Sequence, residues 1–238
     1  MNERIYRKLS TLKKFLCRKL RRITWLFSSE PFSRKFGFEY GTPVDRFYIE
    51  SFLAENSPLI RGDVLEIAEN TYTVKFGSDV GNSHVLHVTA GNPDATLIGN
   101  LETGENIPHN AFDCIILTQT LPFIFDKEKV LFHCFQALKE GGTLLLTVPM
   151  ICPVSTYDAE RWGDYWRFTE QGLTLLLKRH FSENSIQITG YGNYYAASRF
   201  LAGMPVEELS RRKLLVQDPG YCVILGAAVR KFVRKENR

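Results

Sequence analysis

The sequence predicts an α/β domain built on a mostly parallel sheet, and three observations carry that expectation. Three short runs, Asp63-Val64-Leu65-Glu66-Ile67, Val85-Leu86-His87-Val88 and Phe112-Asp113-Cys114-Ile115-Ile116-Leu117-Thr118, are nearly continuous in apolar residues, as strands buried on both faces are. A turn-rich stretch, Ala90-Gly91-Asn92-Pro93-Asp94, and a helical pattern from Lys127 to Leu138 lie between and after them. A fourth apolar run follows, Thr143-Leu144-Leu145-Leu146-Thr147-Val148-Pro149. Such alternation implies a sheet covered on both faces, with ligands at the carboxyl ends of the strands.

Each further element has a local reason. The helix after Lys127 sets Val130, Leu131, Cys134, Phe135 and Leu138 on one stripe, and Gly141-Gly142 is expected to stop it. Asn70-Thr71 reads as a helix cap before Tyr72 to Phe76, and Thr169 as the cap of a helix from Glu170 to Arg179 whose Leu173, Leu176 and Leu177 face inward. Ser185 to Gly190 and Tyr221 to Val229 read as the last two strands. Their connection, Tyr191 to Gly220, is long for a hairpin and holds a helical stretch, Ala196 to Ala202, beside the acidic Val206-Glu207-Glu208-Leu209. That length suits a lid or partner surface, or a small helix packed on the sheet end.

With 238 residues, 44% of them hydrophobic, the chain can bury one full core. The organisation read from it is a basic amphipathic helix and linker over 1–45, one α/β domain over 46–230 and a basic tail over 231–238. Cys17, Cys114, Cys134, Cys152 and Cys222 show no paired spacing, and three of them fall on core faces, which points to reduced thiols and a cytoplasmic setting. Residues 1–26 carry nine Lys or Arg against Glu3 alone, so this arm supplies +8 of a net charge of +4 and the remainder is acidic. Ile5, Leu9, Leu12, Leu16, Leu20, Ile23 and Phe27 recur at helical steps, giving residues 1–27 an apolar stripe fit for an anionic membrane surface, for the chain's own domain or for a partner subunit. The arm is too charged to span a bilayer. Nucleic acid is a poor partner for the acidic body, which lacks an aromatic-basic platform.

Val64-Leu65-Glu66-Ile67, Phe112 to Leu117, Leu138-Lys139-Glu140-Gly141-Gly142-Thr143-Leu144 and Asp164-Tyr165-Trp166-Arg167-Phe168-Thr169, in that order and spacing, resemble the class I S-adenosylmethionine-dependent methyltransferases. The likeness covers roughly Phe47 to Ala228 and is greatest to small bacterial members found beside sugar-transferring enzymes of surface-glycan pathways. It implies a Rossmann-like sheet with an antiparallel C-terminal hairpin edge, and S-adenosylmethionine as cofactor. Carried over by position, it implies cofactor contacts at Glu66, Ala68, Asn70, Thr89, Asn100, Leu101 and Gln119. The chain departs from the pattern at three of these. Ala68 to Asn70 replace the glycines that let a cofactor approach the first loop, a neutral Thr89 with Asn92 nearby stands where an acid accepts from ribose hydroxyls, and Asn100 stands for the acid at the adenine. Either the loop is rebuilt around Asn70, Thr71 and Tyr72, or the pocket is weakened. Glu66 can equally serve as a strand-end carboxylate bonded to nearby amides.

Substrate chemistry is expected in Tyr157 to Phe168, where Arg161, Trp162, Tyr165, Trp166 and Arg167 suit a carbohydrate or another polar ring through stacking and directional bonds. The plainer alternative is that Trp162, Trp166 and Phe168 roof the sheet while Arg167 pairs with Asp164. Methyl transfer to a hydroxyl needs close approach, dryness and a base, for which Asp158, Asp164 and His109 are the candidates. His87 reads as a packed core residue, His133 and His180 as surface or boundary residues, and no histidine pair has metal-ligand spacing. Three functions compete: a methyltransferase acting on a small polar acceptor such as a sugar or glycan precursor, a catalytically weak relative scaffolding glycan-synthesis enzymes, and a nicotinamide-dependent sugar enzyme. The missing glycine-rich phosphate loop argues against the last.

Overall fold

A computed structural model describes residues 28–232. The basic arm over 1–27 and most of the tail lie outside the described residues. Seven strands form one sheet in the order β3-β2-β1-β4-β5-β7-β6: β1 (Arg61–Ile67), β2 (Asp79–His87), β3 (Leu97–Ile98), β4 (Phe112–Thr118), β5 (Leu138–Pro149), β6 (Ile186–Tyr191) and β7 (Ile224–Arg230). The first five run parallel, and β7 lies antiparallel between β5 and β6. The fold class read from the sequence is therefore the one observed. The two-residue β3 had no signal of its own.

Alternation along each strand divides the core. Leu65, Ile115, Leu117, Leu144 and Leu146 face a layer that includes α3 (Lys127–Ala137) and α5 (Glu170–Leu177). Val64, Cys114, Ile116 and Leu145 face the other way, toward α1 (Val44–Glu55) and α6 (Tyr194–Leu201). Two short helices, α2 (Thr71–Phe76) and α4 (Thr156–Ala159), carry loops at the carboxyl ends of the strands, and α7 (Arg211–Leu214) lies in the connection between β6 and β7.

Several local readings are corrected. Gly141-Gly142 does not stop α3, which ends at Ala137, because Leu138 is already paired with Phe112. The two glycines sit instead where the β4–β5 register shifts, and a Cβ on Gly142 would lie 2.9 Å from the Phe112 carbonyl. The long connection before β7 is no lid. Ala196, Ala197 and Phe200 of α6 are buried against α1 and the sheet, and Asn193 donates to the carbonyls of Lys213 and Val216. Part of the expected linker packs on the domain, since Phe32 and Val44 are buried and Glu207 accepts from the amide and hydroxyl of Thr42. Cys114, Cys134 and Cys222 are buried free thiols, and no described helix is long and apolar enough to cross a membrane.

Candidate active site

The carboxyl ends of β1, β2 and β4 and the turn after β3 enclose a cavity of about 750 Å³, within the usual range of small-molecule sites. Its floor is Ile67, Ala68 and Glu69 after β1, Leu86, His87 and Val88 at β2, Asn100, Leu101 and Glu102 after β3, and Thr118, Gln119 and Thr120 after β4. The loop after β1 has no glycine, yet Ala68 takes the left-handed conformation at φ 68°, and so does Gln119 at φ 49°. Both residues pay a steric cost of roughly 1–2 kcal/mol for that turn. Asn92 secures the strained loop by donating to the Ala68 carbonyl at 2.6 Å. The backbone thus makes the turn that glycine makes more cheaply.

Glu66 lies beneath this floor rather than in it. The side chain is 2% exposed and accepts from the amides of Tyr72 and Thr73 and from the Thr73 hydroxyl. Burial pushes its carboxyl above the ordinary value, partly offset by those bonds. It is the real cap of α2, because Asn70 makes no side-chain capping bond and donates to Ser83 Oγ at 3.3 Å. Thr89 is turned aside: its hydroxyl lies 3.2 Å from the His87 ring nitrogen. His87, read as core, is a cavity residue. The Asn100 side-chain oxygen Oδ1 accepts from the amides of Glu102 and Thr103 and so shapes the turn whose Leu101 and Glu102 face the cavity.

The other wall comes from outside the strands. Phe38, Asp45, Arg46 and Ile49 enter from the N-terminal side, Tyr72 from α2, Phe123 to Phe125 from the turn after β4, and Asp158, Trp162 and Tyr165 from the loop after β5. Phe38 (58%), Phe125 (65%), Trp162 (47%) and Tyr165 (50%) stay exposed and form an aromatic mouth, in which Phe125 meets Tyr165 edge-on at 5.6 Å. Asp158 accepts from the Ser155 hydroxyl at 2.5 Å. Phe38 and Asp45 were missed at the sequence level because the segment before α1 carries no motif.

Five further expected site residues, His109, Asp164, Arg167, Trp166 and Arg161, lie elsewhere. His109 precedes β4 and is exposed at the amino end of the sheet, opposite the cavity, so it is no base for this site. Asp164 is held by Arg167 through both carboxylate oxygens, at 2.5 and 2.9 Å, and accepts from the Ser155 amide. Burial would raise its carboxyl, but Arg167 and the Ser155 amide together hold it below the usual range. Arg167 also donates to the carbonyls of Cys152 and Pro153, so the pair is a clasp for the loop. Trp166 packs on the core with its indole donating to the Ile124 carbonyl and the Lys127 ammonium 3.3 Å from its ring centroid. Arg161 folds onto Tyr157, its guanidinium 3.5 Å from the ring centroid and donating to the Tyr157 carbonyl. Neither arginine is available to orient a sugar in the cavity.

A solved relative in fold is an S-adenosylmethionine-dependent methyltransferase from Archaeoglobus fulgidus, 11% identical, covering 78% of this chain and 94% of its own with a TM-score of 0.51. The fold is that of the class I S-adenosylmethionine-dependent methyltransferases. The N-methyltransferase NodS of Bradyrhizobium japonicum in complex with S-adenosyl-L-homocysteine superposes at a TM-score of 0.50, with 14% identity over 84% of this chain and 93% of its own. In sequence, the ubiquinone/menaquinone biosynthesis C-methyltransferase of an Enterobacter strain is 34% identical over 45% of this chain and 53% of its length. That of Klebsiella pneumoniae is 30% identical over 42% and 49%. The chain thus spans about half the length of the curated relatives it matches. No family model matches.

Proposed function

We propose that this chain is an S-adenosylmethionine-dependent methyltransferase acting on a small aromatic acceptor of the quinol type. The observation that carries the reading is the two-part cavity: a floor of strand-end loops in the methyltransferase fold, and a mouth of exposed aromatic rings over it. The left-handed Ala68 and Gln119 turns, with His87, Val88 and Leu101, would hold the cofactor, and Glu69 and Glu102 supply the carboxylates that the Thr89 and Asn100 positions lack. When bound, the cofactor supplies an electrophilic methyl on a sulfonium.

The acceptor follows from the other wall. Apolar rings with few free donors bind a flat, weakly hydrated ring better than a sugar, whose many hydroxyls need directional partners. The arginines that would have supplied them are engaged with Asp164 and Tyr157. The curated relatives are named for ubiquinone and menaquinone biosynthesis, which agrees with a quinol-like ring. Buried free thiols agree with a cytoplasmic setting, and the basic, apolar-striped sequence over 1–27 suits an anionic membrane surface.

A second reading, a cofactor-poor relative acting as a binding partner of glycan-synthesis enzymes, draws on the end of β2, where Thr89 is turned onto His87 and the strand end itself carries no acid. Transfer of a labelled methyl from S-adenosylmethionine to chemically reduced 1,4-naphthoquinone, against nucleotide sugars in parallel, tests the choice. Labelling of the quinol alone is expected; labelling of sugar alone overturns the acceptor, and labelling of neither favours the binding partner.

A further inference from the structure

A carboxylate enters this cavity from a segment that none of the chain's methyltransferase-like motifs includes. Asp45 stands in the first turn of α1, half-buried, with Phe38 and Arg46 beside it in the wall and Tyr72 of α2 among the same lining residues. One of its oxygens accepts from the Arg46 amide at 2.8 Å. The Arg46 side chain does not clamp the carboxylate; its guanidinium lies 5.9 Å from the ring centroids of both Phe38 and Tyr72.

Resting on the proposed methyltransferase reading, we propose that Asp45 is the base that takes the acceptor's hydroxyl proton. In the quinol case the O–H proton moves to the Asp45 carboxylate, and the ring carbon beside the oxygen attacks the methyl group. The new C–C bond forms as the S–C bond breaks, its electron pair passing to sulfur. The ring then loses its C–H proton to water, and Asp45 returns its proton to the phenolic oxygen. One proton is released overall, matching conversion of the sulfonium to neutral S-adenosylhomocysteine.

Four features favour Asp45 over the other candidate bases. Asp164 is clasped by Arg167, and His109 is at the far end of the sheet. Asp158 faces the cavity but already binds the Ser155 hydroxyl that caps its own turn. Burial pushes the Asp45 carboxyl up to about 6, against the opposing pull of the Arg46 amide and guanidinium, which brings its basicity closer to that of a phenol while leaving it ionised at neutral pH. The groups around it do not compete as bases. Tyr72 is pushed up to about 12 and Cys152, beyond β5, to about 12, both chiefly by burial, so both stay protonated. Arg46, Asp158, Glu69 and Glu102 complete the charged lining, with Glu102 already accepting from the Asp126 amide.

The test uses the full chain, with binding and turnover measured separately. S-adenosylmethionine affinity is measured calorimetrically for wild type, Asp45→Asn, Asp45→Glu and Asp158→Asn; methyl transfer to reduced 1,4-naphthoquinone is followed from pH 5 to 9. Asp45→Asn should bind the cofactor within about threefold of wild type yet turn over at least a hundredfold more slowly. The acid limb of the wild-type profile, centred near 6 as the Asp45 carboxyl is, should disappear in Asp45→Asn, and Asp45→Glu should restore part of the rate. An Asp45→Asn enzyme that keeps both rate and limb overturns the assignment, as does loss of the limb in Asp158→Asn alone. Wild type that binds no cofactor overturns the underlying reading instead, and wild type that binds cofactor but leaves the quinol unmethylated overturns acceptor and base together.

Discussion

Thr73 gives both its amide and its hydroxyl to the buried carboxylate of Glu66, at 2.8 and 2.7 Å. This bond set starts α2, and α2 carries Tyr72 into the cavity wall, so a strand residue shapes the site without lining it. Glu66→Ala should cost about 1–3 kcal/mol by leaving two amides and a hydroxyl without their acceptor, read as a lower denaturation midpoint. Glu66→Gln, which keeps a carbonyl acceptor, should recover part of that loss. If Glu66→Ala keeps wild-type stability, this capping role is wrong.

The left-handed Ala68 yields a prediction of opposite sign. At φ 68° an alanine is strained and a glycine is not, so Ala68→Gly should raise stability by about 1 kcal/mol despite a looser unfolded chain. Ala68→Val should lower stability by more than that and weaken cofactor binding, because a branched Cβ tolerates the turn least. Thermal denaturation with and without S-adenosylmethionine separates the two effects.

Breaking the Asp164–Arg167 clasp should be severe. The Asp164 side chain is 2% exposed, and removing Arg167 strands a buried charge at a cost of about 3–5 kcal/mol. Arg167→Met should therefore release the loop from 152 to 168, seen as faster proteolysis there. Because the Asp164 carboxyl is held below its ordinary 3.8, its contribution is present above that pH and is lost as pH falls toward the lower folded value. The wild type should lose this stabilisation in acid, and Arg167→Met should lack that part of the dependence.

Asp45 shows the reverse linkage. Its folded value of about 6 exceeds the ordinary 3.8, so the folded protein holds the proton more tightly and stability from this group falls as pH rises from about 4 to about 6. Asp45→Asn should be more stable than wild type at pH 8 by about 1–2 kcal/mol after allowance for solvent screening, and no more stable at pH 4. A variant that gains stability while losing turnover is what a destabilised functional carboxylate predicts.

Much of the fold was legible because its strands are buried on both faces: Val64 to Ile67, Phe112 to Thr118 and Thr143 to Pro149 announce themselves as apolar runs. The antiparallel edge was legible only through family resemblance. The site was legible in its floor, where Ala68, Asn100, Leu101 and Gln119 follow the strands, and much less so in its wall. Composition placed Trp162 and Tyr165 in a binding loop but could not separate them from Trp166 and Arg167, because neighbours in sequence point to different sides of an irregular loop. Asp45 and Phe38 reach the cavity through a tertiary contact with no local pattern. The glycine-free loop misled in another way, since φ at Ala68 is set by the structure around it, including the bond from Asn92.

The central claim is that a glycine-free first loop still builds a cofactor site. Calorimetric titration of the full chain with S-adenosylmethionine and with S-adenosylhomocysteine tests it most directly. Saturable binding of both in the micromolar range, about −8 kcal/mol, with one site per chain and loss on Ala68→Val, is the predicted result. Absence of binding to either ligand by a folded protein would contradict it.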